Sequence, residues 1–303
     1  MPLIQANQLT RYYGSHCAVD HISFTLDKGD ILGLLGPNGA GKSTTMQMLT
    51  GCLAPSAGEI LIDGVDLLDQ PKAAKSALGY LPEQPPLYKD LTVDEYLLYC
   101  ARLHRIEKPK QHHAVELAQQ RCGLASVRQR LIGNLSKGYQ QRVGIAQAIV
   151  HSPRVIILDE PTVGLDPIQI REIRELITEL GREHGIILST HILPEVQAVC
   201  NRVQIIHQGR LVFASALRDL LEQDSNRFQV RFRSAVSRQQ LLSLDCVDAV
   251  QAENDDFIVT LNTSADRFSE AVSQAGWGLL QLAPQQQSLE QVFVNLAHQE
   301  QAA

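Results

Sequence analysis

Residues Gly36 to Ser43 read "GPNGAGKS" and follow directly on the apolar run "ILGLLG" that begins at Ile31. Gly, four residues, then Gly-Lys-Ser is a pattern with a mechanical meaning when it ends a strand and opens a helix. Glycines let the backbone curl so that successive N–H groups point inward, and the uncapped start of the helix adds more donors to the same side. Gly36, Pro37, Asn38, Gly39, Ala40 and Gly41 are therefore read as a loop that wraps phosphates. Lys42 is expected to reach the β and γ groups, Ser43 to offer its hydroxyl to Mg2+, and Thr44 to bind the nucleotide with them. No other stretch limits the fold as strongly, because the loop needs an α/β sheet behind it.

The remaining apolar runs supply that sheet. "ALGYLPEQ" from Ala77, "VIILDE" from Val155 and "IILSTH" from Ile186 are short, β-rich and end in polar residues. Alternation of such runs with helical segments predicts a mostly parallel sheet covered by helices, with the ligand cleft beyond the carboxyl ends of the strands. The 303 residues suit two unequal domains. The larger spans 1–220 and contains a helical insertion over about 85–150, where Thr92 and Glu95 form a capping box and "PKQHHAVELAQQRCG" begins with proline and ends at glycine. The turn in "IIHQGRLVF" closes that domain as a hairpin. A helical linker, "SALRDLLEQ", leads into residues 221–303, whose β, α, β, β, α, β, α order predicts a small α+β domain of the split, ferredoxin-like kind, with "SLEQVFVNLA" as its last helix.

Chemistry collects at the strand ends. Asp159 is placed to hold Mg2+ and Glu160 to polarise an attacking water as general base. Gln84 is a candidate to reach the metal or the water through its amide, and His191 to contact the γ-phosphate or hold the water in line. A second anion site is implied at "NLSKGYQQR", Asn134 to Arg142, where Ser136 and Gly138 stand at the start of another helix.

Taken in order, the phosphate loop, Gln84, the Ser136 region, Asp159-Glu160 and His191 resemble the nucleotide-binding subunit of an ATP-binding cassette (ABC) transporter, over roughly residues 3–220. The resemblance implies a P-loop ATPase of mixed sheet plus inserted helical subdomain, with ATP and Mg2+ as cofactors. It implies that Tyr13 stacks on adenine, that Gln84 joins the metal to a membrane partner, that "GLD" ending at Asp166 meets a facing subunit, and that His191 is the switch histidine. By the same resemblance Ser136 and Gly138 bind the γ-phosphate held on another subunit, so two copies face head to tail around two ATPs. The commonest form of that motif, Leu-Ser-Gly-Gly-Gln, is altered here by Lys137 and Tyr139. The altered form and "SLEQVF" resemble the exporter-type subfamily that includes drug, antibiotic, sodium and gliding-motility systems.

The expected partners are an integral membrane permease and a second copy of the chain, with a peripheral position on the cytoplasmic face of the membrane. A net charge of −6 argues against nucleic acid as a partner, which counts against the alternative of a soluble ABC-type ATPase acting on nucleic acid or ribosomes. Cys17, Cys52, Cys100, Cys122, Cys200 and Cys246 are too scattered for a disulfide or zinc framework. No apolar run reaches the length of a spanning helix, and "MPLIQANQLTRYYG" lacks the pattern of a secretory signal. His112 and His113 are read as a solvated helix face. Tyr80, Tyr88, Tyr96 and Tyr99, with Leu87 and Leu91, are read either as a docking patch or as packing within the helical insertion.

Overall fold

The computed structural model describes residues 1–217, 219, 226–253 and 256–284. Two compact units divide the chain, Met1–Ser215 and Ala216–Ala303.

The first unit opens with β1 (Ile4–Tyr13) and β2 (His16–Leu26), an antiparallel pair, followed by β3 (Ile31–Leu35) and α1 (Lys42–Leu49). β4 (Ala57–Ile62) returns antiparallel to β1 and β5 (Val65–Asp66) extends it, giving a four-stranded sheet in the order β2-β1-β4-β5. After α2 (Pro71–Ser76) come β6 (Leu78–Leu81), α3 (Val93–Leu103), α4 (Lys108–Arg121) and α5 (Lys137–Ile149). The unit continues with β7 (Val155–Asp159), α6 (Pro167–Leu180), β8 (Gly185–Thr190), α7 (Leu193–Val199), β9 (Arg202–His207) and β10 (Arg210–Ala216).

A six-stranded sheet runs β10-β9-β3-β8-β7-β6, with β3 parallel to β8 and β9, and β7 parallel to β6 and β8. Every residue of β3, β7 and β8 is buried, which is why these strands read as unbroken apolar runs: a parallel sheet is covered on both faces. Their parallel direction brings the residues after β3, β6, β7 and β8 to one edge.

Helix starts in the segment between β6 and β7 follow local chemistry. Thr92 and Glu95 form the capping box of α3, Glu95 Oε2 accepting from the Thr92 N–H at 2.8 Å. Ser136 caps α5, accepting from the Tyr139 N–H at 3.4 Å. Two glycines then let α5 lie close on β6. A Cβ on Gly79 would stand 2.1 Å from the Ala148 carbonyl oxygen, and one on Gly144 would stand 2.6 Å from Leu81 Cδ1.

The second unit holds β11 (Arg227–Phe232), α8 (Arg238–Leu242), β12 (Val247–Glu253), β13 (Asp256–Leu261), α9 (Ala265–Gln274) and β14 (Leu279–Pro284). Its sheet order is β12-β13-β11-β14, all pairs antiparallel, the split βαββαβ arrangement. Val230, Leu241, Val259, Leu261, Phe268 and Val272 form its core. The helix expected from Ser288, and part of the linker helix expected over Ser215–Gln223, lie outside the described residues.

Candidate functional site: a phosphate cleft and a second helix start

The loop between β3 and α1 is shaped by close backbone contacts. A Cβ on Gly36 would meet the Ile206 carbonyl oxygen at 2.2 Å. Gly41 occupies φ +104°, in the region that favours glycine, and a Cβ there would meet the Ala18 carbonyl oxygen at 2.6 Å. No side chain caps α1, and its first N–H groups have no side-chain partner from the N-cap, an arrangement suited to an anion. Lys42 is buried, and its ammonium donates to the carbonyl oxygens of Gly36 at 2.8 Å and Pro37 at 3.0 Å. Burial pulls its pKa down, while the carboxylates of Glu160 and Asp159 act to raise it. The loop borders a cavity of about 420 Å³ lined by Asn38, Gly39, Gly41, Lys42, Ser43 and Thr44, together with Ala18, Glu83, Glu160, Val163 and His191.

β7 and β8 deliver the acid and imidazole groups. Asp159 is buried and accepts a hydrogen bond from the Ser189 hydroxyl. Burial pushes its pKa up and Glu83 adds to the rise, against the lowering effects of the Ser189 bond and Lys42. Glu160 takes φ +47°, uncommon for a residue with a side chain. The turn is held by its N–H, which reaches both the Ser189 carbonyl at 3.1 Å and the Ser189 hydroxyl at 3.2 Å. His191 Nδ1 lies 2.9 and 3.1 Å from the two carboxylate oxygens of Glu160. A carboxylate can only accept, so Nδ1 carries the proton in this pair. Carboxylate and imidazole thus line the same cavity as Lys42, as a bonded unit.

Not every expected residue stands in that wall: Asp159, buried beside Glu160 in the chain, is outside the lining. Gln84 is exposed and does not line the cavity; Glu83 does. The two lie in a bend between Pro82 and Pro85, just beyond the end of β6. Tyr13 ends β1 nearly half exposed, with the Arg11 guanidinium 5.1 Å from its ring centre, and is likewise outside the lining.

Ser136 and Gly138 belong to a separate cleft of about 350 Å³ with Tyr139, Arg142, Asp166, Ile168, Gln169 and Glu172. The Asp166 carboxylate caps α6 by accepting from the Ile168 and Gln169 N–H groups, each at 3.0 Å. Arg142 bridges Glu172 at 2.5 Å and lies 5.9 Å from the Tyr139 ring centre. Lys137 lies against Gly164, where an added Cβ would collide with the ammonium. Tyr88 packs edge-on to Tyr96 at 6.0 Å and Tyr99 at 5.6 Å, whereas Tyr80 packs on the sheet core. Sequence reasoning also missed Glu195, a buried carboxylate behind the Glu160–His191 pair. Its only trace in the sequence is an acid in the first turn of α7.

Residues 19–163 match the ABC transporter family. Over 212 residues the chain is 42% identical to the bacitracin transport ATP-binding protein BcrA of Bacillus licheniformis, covering 69% of this chain and 68% of that one. The chain belongs to the ABC transporter ATP-binding family. It is also 40% identical over 209 residues to the ABC transporter ATP-binding protein NatA of Bacillus subtilis, covering 68% of this chain and 85% of that one. Among solved structures, one described as the ATP-binding subunit of an ABC transporter aligns with a TM-score of 0.66 at 32% identity, over 73% of this chain and 92% of that one. The chain is thus an ATP-binding and ATP-hydrolysing subunit that powers a membrane transporter. Among the described residues no helix is long and apolar enough to cross a membrane.

Proposed function

We propose that two copies of this chain close head to tail on two Mg-ATP, hydrolyse them, and thereby drive an export cycle in a separate permease. One observation carries the reading: a single chain presents two distinct clefts that each include residues from the start of a helix, one at Lys42 and Glu160 and one at Ser136 and Gly138. The second faces no phosphate loop within its own unit, and a two-fold arrangement lets each copy complete the other.

Within the first cleft, phosphate oxygens take the Lys42 ammonium from the loop carbonyls and accept from the N–H groups of the loop and of α1. The Glu160 carboxylate accepts a proton from the attacking water as its oxygen bonds to the γ-phosphorus and the bond to the ADP oxygen breaks. His191, donating to Glu160, sets the carboxylate's direction. The donor set suits magnesium, which favours one or two carboxylates plus phosphate oxygens: Asp159 and the Ser43 hydroxyl would hold it, with Glu83 in the role first read for Gln84. When bound, the ion neutralises charge on the β- and γ-phosphates.

Similarity to a bacitracin transport protein, and to a probable multidrug protein of Escherichia coli, YbhF, supports export as the direction. Tyr88 and Tyr99, exposed beside Tyr96, offer the permease an aromatic patch next to the cleft segment that carries Glu83. Attachment there places the chain on the cytoplasmic face of the membrane.

Glu160→Gln is expected to keep ATP binding and to slow hydrolysis by roughly 100- to 10,000-fold, the usual worth of a general base. Mass measurement of that variant should give a dimer with Mg-ATP and a smaller species without it. Near-normal turnover, or a monomer in saturating Mg-ATP, would remove the corresponding half of the proposal. Isolated from gently solubilised membranes with Mg-ATP, the variant should bring a polytopic membrane protein with it; only ribosomal or DNA-bound partners would favour the non-transport alternative.

A further inference from the structure

We infer that Glu195 is a positioning residue for hydrolysis, fixing the turns that carry Glu160 and His191. The inference rests on the reading of those two residues as base and orienter. Glu195 stands in the first turn of α7 and is 2% exposed. One carboxylate oxygen accepts from the Thr162 hydroxyl and the other from the Thr190 hydroxyl at 2.9 Å. Thr162 lies two residues after Glu160, and Thr190 immediately precedes His191. Thr190 Oγ1 also accepts from the Ile192 N–H at 3.1 Å, which closes the backbone around His191. A single buried carboxylate therefore ties together both turns whose tips meet in the Glu160–His191 bond.

Stability alone does not account for a carboxylate at this place. Its nearest cation is Arg174, 4.0 Å away, and a buried acid held mainly by two hydroxyls is expensive to desolvate. An apolar side chain of similar volume would fill the space. What the carboxylate adds is geometry: two acceptor oxygens on one rigid plane, each engaging a different loop. That geometry is needed because Glu160 sits at φ +47°, a torsion that persists only where its surroundings over-determine it. Ser189 fixes the residue from its N–H side, and Glu195, through Thr162, fixes the chain that leaves it. A catalytic group displaced by about 1 Å can lose about a hundredfold in rate, so loosening these turns acts on the chemical step. Lys42 and the phosphate loop are not among the contacts of Glu195, and nucleotide affinity is untouched.

Steady-state ATP hydrolysis and thermal unfolding of Glu195→Ala and the isosteric Glu195→Gln test the assignment. Glu195→Ala should lower kcat about 10- to 100-fold with KM for ATP within about twofold, the loss expected from a misplaced base. Glu195→Gln, which keeps an acceptor oxygen and the shape, should recover part of that rate and remain folded if the alanine variant does not. In single-turnover measurements on the Glu160→Gln background, Glu195→Ala should have no further effect beyond about twofold, because two residues acting through one group are non-additive. A kcat within twofold of wild type in both variants, or the same fold-loss with and without the Glu160 carboxylate, would overturn the inference. Normal turnover in Glu160→Gln alone would instead remove the reading on which it rests.

Discussion

At the scale of residues, Lys42 shows how the loop between β3 and α1 is tied to its own side chain. Its ammonium lies on two loop carbonyls, at 2.8 and 3.0 Å, and the loop keeps its curl around its own cation. Lys42→Ala removes this internal tie and, on the function proposed above, the contact to ATP. Charge-assisted hydrogen bonds contribute about 1.5–3 kcal/mol, so nucleotide affinity should fall roughly 10- to 100-fold by equilibrium titration. Unchanged affinity would count against the loop as the binding element. That Gly39, Gly41, Lys42, Ser43 and Thr44 line one cavity was legible in the sequence because such a loop is a local device, its residues consecutive in the chain. Glu83 and Gln84 were not separable in this way. Which of two neighbours faces the cleft depends on backbone direction between Pro82 and Pro85, and no composition rule records it. Glu160's backbone torsion and the burial of Glu195 were invisible for the same reason, since both arise from what packs around them.

Among elements, the contact between β6 and α5 has almost no tolerance. A methyl group on Gly79 would strike the Ala148 backbone carbonyl at 2.1 Å, and backbone cannot rotate aside as a side chain can. Gly79→Ala should destabilise the first unit by about 1–3 kcal/mol, the usual range for overpacking, measured by denaturant unfolding. Near the same contact, His104 at the end of α3 stacks on His151 beyond α5, ring centres 3.6 Å apart. His151 donates from Nε2 to the Leu78 carbonyl oxygen at 3.0 Å and is held neutral by burial, with His104 and His184 acting in the same direction; its pKa is pushed down to about 4. The unfolded chain takes up this proton near pH 6.5, so the stabilisation is complete above that pH and declines as pH falls toward 4. The loss amounts to roughly 3 to 4 kcal/mol at most, at about 1.4 kcal/mol per pKa unit. His151→Gln should flatten that acid limb of the unfolding free energy, and an unchanged limb would place the proton uptake elsewhere. The four apolar strands and the capped helices around this contact were readable from periodicity and caps. The antiparallel sheet of β1, β2, β4 and β5 was not, because its register shifts break the alternation that marks such strands.

For the whole molecule, the two units have separate cores. One cluster joins residues from Leu3 to Ile206, the other joins residues from Val230 to Val272. Each buries its own apolar surface, and calorimetry should resolve two unfolding transitions; Gly79→Ala should move only the one belonging to Met1–Ser215. A single transition that shifts as a whole would show the cores to be energetically coupled. The order of the larger sheet carries a consequence for synthesis. β3, which ends in the phosphate loop, pairs with β8 and β9, Ile31 opposite Ile186 and Leu32 opposite Arg202. Both neighbours leave the ribosome long after β3 itself. A nascent chain halted before Gly185 would already contain Gly36 to Ser43 and yet have neither flanking strand to hold them. The loop from Gly36 to Ser43, made well before both strands that flank β3, thus takes shape only after them, and whatever it binds must wait until most of the first unit has emerged.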